Sequence, residues 1–196
     1  MDTRPYIVGI GGTARPDSTS ERALRASLLS LERLGARTEL FGADALNLPL
    51  YDGSALGPAA ERMVGAIRRC DGLIIATPAY HGTLSGLVKN ALDYLEELRA
   101  DPRPYLEGRA VGCIVCAWGP QAIGTAIVSV RSTVHALRGW PTPMAAGINS
   151  AGLAFDEHGT CMDPAAQQQL ELVARQVWDF ADMRLRARAS DTARGA

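Results

Sequence analysis

A stretch of glycine and hydroxyl residues, residues 11–20, follows the first apolar segment and precedes a helical pattern. Glycine lets the backbone approach a ligand closely, and a helix N-terminus offers unpaired N–H groups and the positive end of its dipole to an anion. Arg15 can add a charge-assisted hydrogen bond to a phosphate oxygen. We therefore expect a phosphate cradle made by Gly12, Thr13, Arg15, Ser18, Thr19 and Ser20.

The same stretch also fits two further motifs. Ser18 with Glu21 three residues later forms a capping box, which needs no ligand but leaves the other hydroxyls without a role. Residues 9–14 (GIGGTA) fit the dinucleotide fingerprint G-x-G-x-x-G/A. Because that fingerprint begins its helix inside the motif, whereas Pro16 and three hydroxyl residues intervene here, we favour the phosphate cradle. Capping by Ser18 is compatible with it.

A second candidate loop follows the apolar segment GLIIA (72–76). Tyr80 and His81 offer flat faces, while Ala79 and Gly82 leave room for backbone amides to reach the edge of a ring. We therefore expect a flat heteroaromatic ring to bind against Pro78, Ala79, Tyr80, His81 and Gly82.

Apolar runs predict the strands that position these loops. The continuously apolar segments 6–10, 72–76 and 111–117 indicate strands covered on both faces, as in a parallel sheet. The weaker segments 38–41 and 141–148 are expected at the sheet edges, because the first is short and the second contains two prolines. The fold class is thus α/β, a flavodoxin-like doubly wound sheet of five parallel strands in the order 2-1-3-4-5.

Helical patterns fill the intervals between the strands and are expected on both faces of the sheet. They cover 18–34, 58–70, 84–95 and 121–137, and a last helix opens at Asp163-Pro164, an N-cap followed by proline. We expect residues 1–183 to form a single domain and residues 184–196, which lose their apolar pattern, to form a mobile tail.

The composition excludes several classes of protein. Twenty basic and 21 acidic residues in a chain of 196 give a net charge of −1, so we expect no nucleic-acid partner. Apolar runs stay well below the about 18 residues of a membrane span, and the first residues lack an export pattern. We therefore expect a cytoplasmic protein without a membrane partner, with Cys70, Cys113, Cys116 and Cys161 as reduced thiols.

Several candidate catalytic groups do not form a site. Cys113 and Cys116 lie three apart on a predicted strand and point to opposite faces, so they neither chelate a metal nor form a disulfide. His135 and His158 have no nucleophile at a readable spacing and are expected at the surface. Lys89, the only lysine, fits a solvated or subunit-contact residue as well as a ligand contact. We expect no metal site.

Two segments carry a resemblance to a known family. Residues 12–20 (GTARPDSTS) are similar to its motif G-S-x-R-x-x-S-x-[NT], and residues 77–93 (TPAYHGTLSGLVKNALD) to T-P-E-Y-[NH]-x-S-x-x-G-x-L-K-N-x-x-D. The family is that of the NADPH-dependent FMN reductases, flavodoxin-like proteins that include flavin, azo-compound, quinone and chromate reductases. Ala79 replaces the Glu of the second motif, and residues 48–52 (LPLYD) also resemble the family.

The resemblance implies roles for individual residues. Thr13, Arg15, Ser18 and Ser20 would bind the FMN phosphate, and residues 78–82 would line the isoalloxazine ring. The loop after the fourth predicted strand would reach the pyrimidine side of the ring through Ala117, Trp118 and Gly119. Trp118 and Pro120 depart from the serine and paired glycines usual in the family, which leaves the acceptor open.

The implied activity is that of an FMN-dependent NAD(P)H oxidoreductase. Hydride would pass from the nicotinamide of NADPH or NADH to FMN N5, and a small-molecule acceptor such as free flavin, a quinone or an azo compound would then be reduced. Because the cofactor carries this chemistry, no catalytic side chain is expected.

Two alternative functions and the state of assembly remain open. The alternatives are a flavoenzyme specific for one metabolite, and a flavodoxin-type electron carrier, although such carriers are usually strongly acidic. The resemblance also implies a homodimer or tetramer, and the apolar faces of residues 84–95 and 121–137 are its candidate contacts.

Overall fold

The computed structural model describes residues 4–152, 154–157 and 159–194. Within them, six strands and five α-helices follow one another along the chain. The strands are β1 (Tyr6–Gly11), β2 (Arg37–Phe41), β3 (Gly72–Tyr80), β4 (Thr83–Leu84), β5 (Ala110–Ala117) and β6 (Trp140–Asn149). The helices are α1 (Thr19–Arg33), α2 (Pro58–Arg69), α3 (Gly86–Asp93), which a 3₁₀ helix (Tyr94–Leu98) follows, α4 (Pro120–Ala136) and α5 (Pro164–Arg194).

Five parallel strands form the sheet in the order β2-β1-β3-β5-β6. With the two-residue strand β4 set apart, this is the predicted order of the long strands, and the flavodoxin-like α/β fold is confirmed. The count of five strands was one too few, because β3 does not end at Ala76. It continues beside β5 to Pro78 and then pairs with β4, antiparallel, through Ala79 and Tyr80.

Both faces of the sheet are covered by helices, as predicted. One apolar core lies against α2, α3 and α4, where Met63, Val88 and Val130 are completely buried. The other lies against α1 and α5. Cys113 belongs to the first core and Cys116 to the second, which confirms that the two thiols point to opposite faces.

β2 and β6 lie at the edges of the sheet, as their composition predicts. An edge strand tolerates proline because the N–H group that proline lacks would face away from the neighbouring strand. The long helix α5 supplies partners for this edge: Gln176 accepts from the Met144 N–H (2.9 Å) and Gln169 accepts from the Gly147 N–H (3.0 Å). These bonds hold α5 along β6.

Helix α5 differs from the expectation of a tail that begins at Arg184, because it continues to Arg194. Arg186 forms an ion pair with Asp182 one turn earlier (2.8 Å), and the Ser190 hydroxyl donates to the Arg186 carbonyl (3.0 Å). An i, i+4 ion pair of this kind stabilises an exposed helix that has no apolar stripe. Residues 195 and 196 lie outside the described residues, and the domain boundary at residue 183 stays a prediction. Among the described helices, none is both long and apolar enough to span a bilayer.

Candidate functional site

The first loop joins β1 to α1 at the carboxyl edge of the sheet. Gly11 fits because a Cβ there would lie 2.1 Å from the Ala76 carbonyl oxygen, and Gly12 has a φ of 114° that favours glycine. The Gly12 N–H donates to the same Ala76 carbonyl (3.2 Å). This contact fixes the start of the first loop beside the strand that leads into the second loop.

Hydroxyl groups gather where α1 begins. Ser18 is the N-cap, its hydroxyl accepts from the Glu21 N–H (3.4 Å), and it lies 3.4 Å from the Ser20 hydroxyl. Both serines are buried, while Thr19 is half-buried. The Thr13 hydroxyl accepts from the Arg15 N–H (3.1 Å) and donates to the Arg15 carbonyl (3.0 Å). This bend leaves the Arg15 side chain exposed at the rim.

Glu21 completes only part of the predicted capping box. Its N–H is capped by Ser18, but its buried carboxylate accepts from the Ala43 N–H (3.4 Å) and from Arg25 (2.5 Å). Gly42 makes room for this carboxylate, since a Cβ there would lie 2.9 Å from its carbon. The serine therefore caps α1 while the glutamate braces the loop after β2.

The second loop is braced by its own polar residues. The buried Thr77 hydroxyl donates to the Pro78 carbonyl (2.9 Å) and accepts from the Ser85 N–H (2.9 Å). Ser85 in turn caps α3, because its hydroxyl accepts from the Val88 N–H (3.3 Å). These motif residues hold the backbone of the loop in place.

His81 and Gly82 form the two-residue turn between β3 and β4. Their φ angles are 53° and 84°, the pair of positive values that a tight hairpin turn requires. Tyr80, just before the turn, remains 54% exposed. His81 and Gly82, two of the five residues predicted to line a ring, thus build the hairpin turn, whereas Tyr80 lines the cleft as predicted from the motif.

The third loop lies between β5 and α4. The Ser150 N–H donates to the Ala117 carbonyl (2.8 Å), which ties the ends of β5 and β6 together. Gly119 is the N-cap of α4 and Pro120 occupies its first turn. Trp118 is 81% exposed beside Ala117, so its ring stands at the rim.

The three loops surround one cleft of about 350 Å³, within the usual range of about 300–1,000 Å³ for ligand pockets. Predicted residues in its lining are Thr13, Arg15, Ser18, Thr19, Ser20, Pro78, Ala79, Tyr80, Ala117, Trp118 and Gly119. Gly12, His81 and Gly82 are not among the lining residues. A more open cleft of about 420 Å³ adjoins it and shares Thr13, Arg15 and Tyr80.

Sequence reasoning missed three lining residues, Cys116, Ala122 and Ser150. Ser150 follows β6, whose carboxyl end reaches the same edge of the sheet, and that position could have indicated it. Cys116 looked like a core residue and Ala122 like an ordinary helix position, and neither carried a signal.

Arg15 is the one charged residue among the described residues that line the cleft. Burial raises the pKa of the Cys116 thiol to about 12, so this thiol stays neutral. The described residues contain no group of three His, Cys, Asp or Glu placed to hold a metal ion. His135 lies at the surface, while His158 is outside the described residues. The cleft can attract an anion, and its described lining carries no activated nucleophile.

The end of the second motif braces a neighbouring segment. Asn90 accepts from the Tyr51 N–H (2.9 Å) and donates to the Pro49 carbonyl (2.8 Å), which fixes residues 48–52 against α3. Lys89 is exposed and forms an ion pair with Asp93 (2.6 Å). This exposure and this ion pair favour a solvated Lys89 over one that contacts the ligand.

Loops at the carboxyl edge of a doubly wound parallel sheet, with hydroxyl groups at a helix N-terminus, define a nucleotide-binding protein of the flavodoxin-like class. Comparison with known proteins narrows this class. Residues 5–152 match the family model described as NADPH-dependent FMN reductase, and the chain belongs to that family. The resemblance carried by the two loop motifs is thereby confirmed.

Individual relatives agree with this assignment. An NAD(P)H-dependent FMN reductase of Pseudomonas aeruginosa is 34% identical over 183 residues, which cover 88% of this chain and 94% of that protein. An NADPH azoreductase of Bacillus is 37% identical over 60 residues, 29% of this chain and 34% of that protein. The flavoenzyme NAD(P)H:acceptor oxidoreductase of Paracoccus denitrificans has a TM-score of 0.71 at 21% identity, covering 91% of this chain and 98% of that one, which shows the fold.

Family membership makes the protein an oxidoreductase with FMN as cofactor and NAD(P)H as electron donor. The residues of the cleft fit FMN by their chemistry. Hydroxyl groups and Arg15 at the start of α1 suit a phosphate, and the small side chain of Ala79 between Pro78 and Tyr80 leaves a flat wall for a ring.

Proposed function

We propose that the three loops hold one FMN molecule, with its phosphate in the first loop and its ring between the second and third. The observation that carries this proposal is the shared cleft: Ser18 and Ser20 line the same cavity as Ala79 and Trp118. A nucleotide that spans the carboxyl edge of the sheet would meet both groups at once.

At the phosphate end, α1 supplies N–H groups that have no partner within the helix. The hydroxyls of Thr13, Ser18 and Ser20 add short polar contacts, and Arg15 adds a charge-assisted bond worth about 1.5 to 3 kcal/mol. Since Arg15 carries the charge of the lining, the cleft as a whole favours a ligand with a phosphate over the same ligand without it.

At the ring end, the protein orients and shields. Bound FMN supplies the hydride chemistry of the reaction. Pro78 and Ala79 give a flat apolar wall, and the backbone N–H groups of residues 117–119 can stabilise negative charge at the edge of a ring. Tyr80 and Trp118 line the cleft and remain exposed, so their rings are available to contact a bound flavin ring.

For the second substrate we propose a planar, uncharged, conjugated acceptor such as a quinone or an azo compound. The Bacillus relative bears the name of an azoreductase, and two exposed aromatic rings, Tyr80 and Trp118, flank the cleft here. Ala79, where the family motif has Glu, removes a carboxylate from the wall. A wall without charge suits an acceptor without charge.

An absorbance spectrum of the purified protein, followed by anaerobic titration with NADPH and NADH, tests the cofactor assignment. We expect a yellow protein that binds added FMN in a one-to-one ratio and is bleached by at least one nicotinamide. Steady-state assays with a quinone, an azo dye and free FMN then rank the acceptors. A colourless protein that refuses FMN contradicts the proposal, and activity with one metabolite far above all generic acceptors favours the metabolite-specific alternative.

The proposal includes self-association and a cytoplasmic location. The outward face of α4 carries uncharged residues over four turns, and Val128 on it is 69% exposed. A face depleted of charged residues fits a contact with a second copy of the chain. Light scattering at micromolar concentration tests this, and a monomer at all concentrations contradicts it. The four cysteines are free thiols, which agrees with a reducing compartment.

A further inference from the structure

Arg22 donates hydrogen bonds to the backbone carbonyls of two different loops. Its Nε donates to the Asp17 carbonyl (2.9 Å), and its Nη1 donates to the Asp156 carbonyl (2.6 Å). The first carbonyl belongs to the loop before α1. The second belongs to the loop between β6 and α5, whose described residues are 150–152, 154–157 and 159–163 and are here named the β6–α5 loop. One half-buried guanidinium therefore ties together two loops far apart in the sequence.

The Asp17 contact is made to a residue whose backbone is in the left-handed conformation. Asp17 has a φ of 54°, in the left-handed region that residues with a side chain enter at a cost. The next residue is Ser18, whose buried hydroxyl caps α1 and lines the cleft. A change of φ at Asp17 would move the Ser18 hydroxyl, so the bond from Arg22 to the Asp17 carbonyl links Arg22 to the position of that hydroxyl.

The Asp156 contact fixes the other loop. The Asp156 N–H donates to the Thr160 carbonyl (3.0 Å), and a bridge between Phe155 and Cys161 closes the base of this turn. The loop begins at Ser150, which lines the cleft. Arg22 thus holds the first loop and the β6–α5 loop in one arrangement around the same end of the cleft.

The position of Arg22 within α1 is itself unusual for a residue that only stabilises a helix. A cation one turn from a helix N-terminus opposes the helix dipole, which favours acidic residues there. Arg22 stands at such a place with both bonds directed to carbonyls of neighbouring loops. Because both of its hydrogen bonds go to loop carbonyls, Arg22 is placed to organise a site for an anion rather than to stabilise the helix.

We propose that Arg22 is a positioning residue for the phosphate of FMN: it holds Asp17 in the left-handed conformation and joins the first loop to the β6–α5 loop. The inference rests on the proposed function, since it requires the phosphate to bind in the first loop. Arg22 acts through Ser18 and the backbone and touches no reacting atom.

The test compares FMN with riboflavin, which has the same ring but no phosphate. The variants Arg22→Met and Arg22→Lys are titrated with both flavins by quenching of flavin fluorescence, with Arg33→Met and Arg33→Lys, on the exposed last turn of α1, as matched controls. We expect both Arg22 variants to weaken FMN about tenfold, equivalent to about 1.4 kcal/mol, with riboflavin affinity changed less than about twofold. Lysine fails because one ammonium cannot reproduce the two directed bonds of the guanidinium.

Each outcome bears on a different claim. An unchanged ratio of FMN to riboflavin affinity in both Arg22 variants overturns the positioning role, as does full affinity in Arg22→Lys, which would show that charge alone matters. Circular dichroism confirms folding, and the lysine variant keeps the test available if the methionine variant unfolds. If the unmodified protein binds FMN no more tightly than riboflavin, the phosphate assignment fails together with this inference. If Arg15→Ala weakens FMN and the Arg22 variants do not, only this inference fails.

Discussion

The C-terminus of α2 and the N-terminus of α1 lie at opposite ends of the parallel strands. The chain fills the space beside the first and leaves a cleft beside the second. At the C-terminus of α2, Arg109 is 1% exposed and donates to the Arg68 carbonyl (2.8 Å) and the Cys70 carbonyl (3.2 Å). The Nη1 atom of Arg109 donates to the Tyr105 carbonyl (3.0 Å). A positive charge buried at the negative end of a helix is here satisfied by the chain itself.

At the N-terminus of α1, the positive end of the dipole faces a cleft instead. Ser18 caps one N–H, and the hydroxyl and arginine groups around it line open volume. The difference shows what separates a structural helix end from a functional one. Where the chain supplies every partner, a charged group stabilises the fold, and where it leaves space beside the helix end, the same physics favours a ligand.

Arg109→Met has the largest expected effect and tests the closed helix end. The substitution leaves buried carbonyls without a donor, and hydrogen bonds to charged groups contribute about 1.5 to 3 kcal/mol each, so we expect a loss of at least about 3 kcal/mol in the free energy of unfolding. Urea denaturation of the protein without flavin measures it. Arg99→Met, on a side chain that is 71% exposed, serves as control, with an expected change below about 0.5 kcal/mol. A loss below about 1 kcal/mol for Arg109→Met, less than one such bond, would falsify the assignment of α2 capping to this residue.

Arg15→Gln tests the open helix end. Because the Arg15 side chain is exposed, we expect the free energy of unfolding to change by less than about 0.5 kcal/mol. The affinity for FMN should fall by about 10- to 100-fold, the equivalent of one charge-assisted bond. Fluorescence titration measures the affinity, with riboflavin as the reference ligand. Equal losses for FMN and riboflavin would show that Arg15 does not contact the phosphate.

The strand order was predictable from composition because the three continuously apolar runs had to be central and the proline-containing segment had to lie at an edge. The hairpin at Tyr80 was not, because Pro78 is typical of the end of a strand, yet β3 continues past it with partners on both β5 and β4. The length of α5 was missed for a similar reason. Beyond Met183 the helix has an i, i+4 ion pair between Arg186 and Asp182 in place of an apolar stripe.

Most residues of the cleft were predictable because chain order and motif chemistry place the first and second loops side by side. What sequence could not provide is the direction of a side chain within a loop. His81 and Gly82 matched the motif, but their positive φ angles place them in the hairpin turn. Arg22 carried no signal, since its partners are backbone carbonyls whose positions depend on the folded loops.

Ser18→Ala and Ser85→Ala form a matched pair that sharpens the comparison further. Each serine is an N-cap whose hydroxyl accepts from a backbone N–H, on α1 and α3 respectively. We expect each substitution to lower the free energy of unfolding by about 1 kcal/mol. Only Ser18→Ala should also lower the affinity for FMN relative to riboflavin. If both variants change that ratio alike, the hydroxyl of Ser18 has no special contact with the phosphate.

Glu39→Gln has the smallest expected effect and concerns the ion pair of a half-buried carboxylate on the edge strand β2. The Glu39 carboxylate accepts from the Tyr6 hydroxyl (2.5 Å) and pairs with Arg62 (3.0 Å). Burial acts to raise the pKa of Glu39, but the hydrogen bonds from Tyr6 and Arg62 outweigh it and lower the pKa below its ordinary value of 4.5. A carboxyl group with a lowered pKa in the folded state stabilises the protein above its unfolded pKa, and this contribution is lost as the pH falls through the folded pKa.

The unmodified protein should therefore lose more stability than Glu39→Gln between about pH 5 and pH 3, while the two differ by a constant amount above about pH 6. Urea denaturation at a series of pH values measures this, with Glu61→Gln, on the exposed side of α2, as control. The ratio of FMN to riboflavin affinity at neutral pH should be the same in all three proteins, because Glu39 and Glu61 are not among the described residues that line the cleft. Parallel pH profiles for the unmodified protein and Glu39→Gln would mean that the Tyr6 and Arg62 contacts do not hold the carboxylate in solution.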